Sequence, residues 1–172
     1  MGKSIAVFAI ILAIIGTAPA ASTSDGTADQ PSFLTGEQAP AFDLHGPTGK
    51  VLHSSSFRGH PLVINFWATW CVACVEEMPL LEHVYRKHRS HGLAVVGFVV
   101  DDVAPDQLQS ILRRTGITYP VFATNEKTSE EYGADPGLPL TVFIDPQGIV
   151  RICHRGTLDA KSIQRCLHTI LK

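Results

Sequence analysis

Cys71 and Cys74 stand three positions apart in FWATWCVACVEEMP (Phe66–Pro79), where a strand-like apolar run gives way to a helical pattern. A cysteine in the first turn of a helix meets unpaired backbone N–H groups and the positive end of the helix dipole. Both favour thiolate over thiol and raise nucleophilicity at neutral pH. A second cysteine one turn later can attack the mixed disulfide formed by the first and release the product. The spacing therefore encodes a two-step thiol–disulfide exchange, with Cys71 as the attacking sulfur and Cys74 as the resolving one. Other chemistries fit less well. Zinc needs two further ligands, and there is no second C-x-x-C; Cys153 and Cys166 lie thirteen residues apart. A purely structural bridge over so short a loop constrains the unfolded chain little. A peroxidatic cysteine wants Thr or Ser three residues earlier, where Ala68 stands, with Thr69 one residue late.

The flanking sequence supplies the elements that would hold this pair. PLVINFWA (Pro61–Ala68) is a nearly continuous run of strand formers, the pattern of a strand buried on both faces. A helix should follow from about Cys71 to His88, with Met78, Leu81, Val84 and Tyr85 at core-facing spacing and Pro79 kinking it. LAVVGFVVD reads as a second buried strand and APDQLQSILRRTG as a helix stopped by Gly116. YPVFA, a short helical piece at TSEEYG and the turn DPGLP come next. LTVFIDP and IVRICHRG form two strands joined by PQG, and DAKSIQRCLHTILK closes the chain as an amphipathic helix. Two extended pieces flanking GPTG between Ala41 and Leu52 suggest a hairpin ahead of these elements. The order β-α-β-α-β-β-α predicts an α/β fold, a mixed central sheet flanked by helices, with an N-terminal β-hairpin extension.

The chain as a whole places the pair in a compartment. Of 172 residues, 45% are hydrophobic and the formal charge is −2, which gives no reason to expect nucleic acid as a partner. Lys3, the apolar run Ile5–Ile15 and the A-x-A at Ala18 and Ala20 have the layout of a secretory signal over residues 1–20. The alternative is a retained anchor, for which the run is shorter than the ~20 apolar residues a spanning helix needs. Residues 21–36 read as a flexible leader and 37–172 as the folded domain. Export makes a disulfide between Cys153 and Cys166 feasible, with two buried inert thiols as the plainer reading. The eight histidines are scattered; His88 and His91, near a helix end beside Arg86, Lys87 and Arg89, read as a solvated polar face rather than ligands.

NFWATWCVACVEEMP resembles the active-site segment of the TlpA/ResA-type thioredoxin-like thiol–disulfide oxidoreductases, exported relatives of thioredoxin that include reductases of cytochrome c maturation. The likeness continues through GEQAPAFDL, FRGHPLVINFWATWC, GLPLTVFIDPQGIV and the HRG after it. It implies the thioredoxin fold, with Pro139 of G-x-P in the cis form facing the cysteines and exposing the Leu138 backbone to an extended substrate. Trp67 should pack in the core and Trp70 lie at the surface beside Cys71. Asn65 stands where thioredoxin has a buried proton-handling Asp, and Asn cannot transfer that proton. Glu77 matches the acidic residue the family places three after the second cysteine and is the candidate replacement; its alternative is a water-exposed charge favourable to the helix dipole. Val75-Glu76-Glu77 puts no basic residue after Cys74, so only the helix start favours the thiolate, which suits a reductant rather than an oxidant. The leading expectation is a periplasmic reductant of oxidised client proteins such as apocytochrome c. It needs no cofactor or metal, and a membrane-embedded thiol protein would supply its electrons. A disulfide-forming oxidase or isomerase, or a thioredoxin-fold binding or chaperone module, are the alternatives.

Overall fold

LVINFW becomes β3 (Leu62–Trp67), and every one of its side chains is buried, as a run without polar alternation requires. The computed structural model describes residues 34–46, 50–135 and 137–171. The proposed secretory segment and nearly all of the leader lie outside them. No helix among the described residues is long and apolar enough to cross a membrane.

The helix α1 (Val72–His88) carries the chain back from the end of β3, so that β4 (Ala94–Val99) pairs with β3 in parallel. After α2 (Pro105–Thr115), closed by Gly116 at φ 69°, the short β5 (Val121–Ala123) adds in parallel to β4. The short helix α3 (Glu126–Glu131) follows. Then β6 (Leu140–Ile144) returns antiparallel against the other edge of β3, and β7 (Val150–Arg155) forms a hairpin with it. The five-stranded sheet thus runs β5-β4-β3-β6-β7, and α4 (Ala160–Ile170), capped by Asp159, ends the fold. The hairpin β1 (Asp43–His45) and β2 (Val51–His53) forms a separate antiparallel pair, as expected. The strand order read from sequence leaves out β5 and α3, elements of three and six residues. Pro79 lies within α1, which runs on through it to His88, and the Val75 carbonyl loses its helical donor there.

The two sheet faces have different covers. Leu62, Ile64 and Phe66 of β3 join Phe42, Leu44 and Tyr132 on one side. Val63 joins Leu81 and Val84 of α1 and Ile163 and Leu167 of α4 on the other. Trp67, Cys74 and Met78 form a third cluster with Ile111 of α2. Phe98 anchors the first face, edge-on to Phe42 at 5.0 Å and to Phe66 at 5.2 Å between ring centroids. Phe98→Ala should cost about 3–5 kcal/mol through lost burial and the cavity left behind. Urea unfolding checks this; a loss below about 1 kcal/mol would mean that the aromatic cluster is not the packing centre of this face.

The feasible bridge between Cys153 and Cys166 is not made. Cys153 packs in the first cluster and Cys166 in the second, so the sheet separates the two buried thiols. The reason is a register shift: Ile144 pairs with Val150 but Phe143 with Ile152, and this bulge reverses the faces of the residues that follow. Residues 36–39 lie along the start of β7, with Gly36 N–H donating to Val150 O at 2.8 Å and Ala39 N–H to Gly148 O at 2.8 Å.

Candidate active site

The chain turns out of β3 at Ala68 and enters α1 at Cys71, which is the N-cap residue of that helix. Cys71 N–H donates to Ala68 O at 3.1 Å, and Cys71 Sγ accepts from Cys74 N–H at 3.2 Å. The sulfur therefore satisfies one of the orphan donors at the helix start, and the same N–H would stabilise a Cys71 thiolate after reduction. Cys71 and Cys74 form a disulfide, with Cα atoms 5.3 Å apart. Cys74 is 1% exposed and Cys71 7%, while the flanking Trp70 and Val72 are 69% and 70% exposed. Trp67 is fully buried, so the two tryptophans divide between core and surface as their places predict.

Two groups of contacts that sequence reasoning missed hold this turn and the loop before β6. Asp101, just beyond β4, accepts from Thr69 N–H at 2.9 Å and from Thr69 Oγ1 at 2.5 Å. The loop before β6 is pinned from β7: Arg155 donates to the carbonyls of Gly133 and Gly137, and Gly156 N–H donates to Pro139 O at 2.8 Å. Within that loop the Leu138–Pro139 peptide is cis. Trp70 and Leu138 border a groove of ≈ 440 Å³ whose lining includes Glu126, Glu130 and Asp135 and, among the described residues, no Lys or Arg.

Behind the cysteines lies a buried polar chain. Asn65 and Thr141 face each other across β3 and β6, and Asn65 Nδ2 donates to Thr141 Oγ1 at 3.0 Å. Thr141 Oγ1 donates in turn to Glu77 Oε1 at 3.4 Å, and Leu158 N–H donates to Glu77 Oε2 at 2.6 Å. Glu77 is 5% exposed, which excludes the water-exposed reading. Burial penalises its charged form and pushes its pKa up to about 7, although the Leu158 and Thr141 donors oppose the rise. Glu77 follows Cys74 by three residues and so shares its face of α1. Glu76, by contrast, is exposed. Thr141 and Leu158 were not singled out from sequence; the signal for Thr141 was a lone polar residue in the apolar strand LTVFI, opposite another in LVINFW.

His88 is half-buried, which holds its pKa below the usual imidazole range. Among the described residues no group of three or more His, Cys, Asp or Glu is placed to hold a metal ion.

The AhpC/TSA family matches residues 35–152. The thiol-disulfide oxidoreductase ResA of Bacillus subtilis is 29% identical over 144 residues, covering 83% of this chain and 79% of the relative. The thiol:disulfide interchange protein DsbE of Xylella fastidiosa is 34% identical over 152 residues, covering 86% and 74%. A solved thiol:disulfide interchange protein of the thioredoxin family from Chlorobium tepidum superposes with a TM-score of 0.71 at 27% identity, covering 78% of this chain and 96% of that one.

Proposed function

The chain belongs to the AhpC/TSA family and is a thiol–disulfide oxidoreductase of thioredoxin-like fold, and from that premise we propose that it is an exported reductant of client-protein disulfides. The observation that carries the direction is the electrostatic setting of Cys71. Its thiolate would be favoured by the helix start and the Cys74 N–H, and the groove bordered by the neighbouring Trp70 adds the carboxylates Glu126, Glu130 and Asp135 and, among its described lining, no cation. Arg155, which approaches from β7, is engaged by the Gly133 and Gly137 carbonyls. A strong oxidant needs a greatly stabilised thiolate, and this setting does not provide one.

In the proposed cycle the reduced Cys71 thiolate attacks one sulfur of a client disulfide, and the other client sulfur leaves as a thiolate. Cys74 then passes its proton to the Glu77 carboxylate and attacks Cys71 Sγ. The Cys71–Cys74 bond forms, and the Cys71–client bond breaks with its electron pair on the second client sulfur. Two electrons have moved from the dithiol to the client, and a donor dithiol must return them. Trp70 and Val72 would offer apolar contact to the client beside Cys71, and the Leu138 backbone an edge for extended peptide. The export reading rests on Lys3, the apolar run and Ala18/Ala20, and it places the protein in the periplasm with a membrane-embedded thiol protein as donor. Oxidised apocytochrome c is the client class the sequence resemblance suggests.

Equilibration with glutathione tests the direction. A Cys71/Cys74 potential at or below roughly −250 mV is expected, whereas one near −120 mV would make the protein an oxidant. Alkylation of Cys71 against pH gives a second reading, and a pKa near 4 would sink the reductant assignment.

A further inference from the structure

We propose that Thr141 is a positioning residue for the exchange reaction: its hydroxyl, fixed by Asn65, directs a hydrogen bond onto Glu77 Oε1 and so sets the proton affinity of that carboxylate. This rests on the reading of Glu77 as the acceptor of the Cys74 proton. The geometry is ordered by donor count. A hydroxyl has one hydrogen to give, and Asn65 Nδ2 already donates to Thr141 Oγ1 at 3.0 Å. Asn65 thus occupies an acceptor site on that oxygen and leaves its hydrogen for Glu77 Oε1, 3.4 Å away. With Leu158 N–H on Oε2, both carboxylate oxygens accept, and only the ionised form can use both donors in full. Asn65 thereby acquires a role that an aspartate could not fill, since a carboxylate there would compete for the hydroxyl hydrogen rather than donate to the oxygen.

Several other ionisable groups lie on the elements that meet at Glu77. Cys74 and the exposed Glu76 lie on α1, and His154 lies opposite Thr141 on β7, with its ring against Thr157 O. Asp159 follows Leu158 at the start of α4, and the buried Tyr119 phenol is close enough to feel the Glu77 charge. None of these donates to Glu77; Thr141 and Leu158 do. Leu158 acts through its backbone, which leaves Thr141 as the side chain through which the affinity can be changed.

Thr141→Val keeps the shape and the strand preference of the site and removes the hydroxyl; Thr141→Ser keeps the hydroxyl. Carboxyl-carbon NMR of glutamate-labelled, oxidised protein reads the Glu77 titration directly. Thr141→Val should move it up by about one pH unit, the scale of one hydrogen bond to a charged group. Thr141→Ser should restore most of the difference. Reduction of an insulin-type disulfide by the reduced protein should slow about fivefold at pH 7 in Thr141→Val, because a Glu77 titrating near 8 is mostly protonated there. In a Glu77→Gln background the same substitution should change the rate profile little. An unmoved titration in Thr141→Val, a shift that serine does not reverse, or a rate effect undiminished without Glu77 would each overturn the proposal. A Glu77→Gln variant with the parent's rate profile, alongside a titration moved by Thr141→Val, would instead remove Glu77 from the proton step and leave the hydrogen-bond assignment standing.

Discussion

Cys71→Ser should reduce disulfide exchange to background, a loss of more than about 10³-fold, because serine at neutral pH offers a hydroxyl where the reaction needs a thiolate. Cys74→Ser should behave differently. Cys71 remains at the helix start beside its exposed tryptophan, so the first attack proceeds and the protein accumulates as a mixed disulfide with its client. Non-reducing electrophoresis after incubation with an oxidised client reads both results. The assignment of the two sulfurs would be reversed if Cys71→Ser trapped the client and Cys74→Ser did not. Serine is nearly isosteric with cysteine, and the Cys74 N–H can bond to a serine oxygen in the N-cap position, so the fold should persist in each variant. A Cys71→Ser, Cys74→Ser double variant with full activity in the cell would favour the chaperone-like alternative.

Glu77→Gln should slow exchange at pH 7 by about 10²-fold, the scale of a lost proton acceptor, while making the protein more stable at alkaline pH. The folded-state pKa of about 7 lies above the ordinary value of 4.5, so the native state holds this proton more tightly than the unfolded chain does. The contribution of Glu77 to stability is therefore fully present below about pH 4.5 and is lost as pH rises through 7. Between those limits the native state loses about 3 kcal/mol, on the basis of 1.36 kcal/mol per pH unit. Glutamine carries no charge at any pH and escapes that loss. Urea unfolding at pH 4.5 and pH 8 should show parent and variant close together in acid and separated by up to about 3 kcal/mol in alkali. An equal difference at both pH values would mean that Glu77 does not titrate within the fold. Lower stability with higher activity is the pattern expected where a charge is kept buried for its chemistry.

Much of this site was legible because local rules and tertiary placement agree. A polar-free strand followed by a C-x-x-C and a helical stripe fixes Cys71 at a helix start whatever the rest of the chain does. Trp67 and Trp70 separate for the same reason, one inside the strand and one beyond it. Glu77 was half legible: it lies three residues after Cys74 and four before Leu81, on the buried stripe, yet an acid in the second turn of a helix is usually solvated. The burial is set by Thr141 and Leu158, 64 and 81 residues away in sequence. The plainer reading of Cys153 and Cys166 as two buried thiols holds, but their placement on opposite faces of the sheet was hidden for a comparable reason. Uninterrupted alternation from Val150 would have turned Cys153 toward α4 and Cys166, and the skipped residue in β7 is visible only in the pairing with β6. The Asp101 clamp on Thr69 likewise joins two strand ends that meet only once β3 and β4 pair in parallel.

The strap along β7 ties residues 36–39 to one end of the sheet. Residues 36–39 sit beside the β6–β7 turn, at the end of the sheet where β3 starts, whereas Cys71 lies past the end where β3 finishes. Six strand residues separate the two poles by about 20 Å. A retained N-terminal anchor would thus hold the domain base-down, with Trp70 and Cys71 turned away from the bilayer and toward soluble clients. Taking electrons from a bilayer-embedded donor would then require the domain to turn over on its tether. With such an anchor the two half-reactions would make unequal demands on the tether: electrons leaving for a soluble client would need no slack in it, and electrons arriving from the bilayer would.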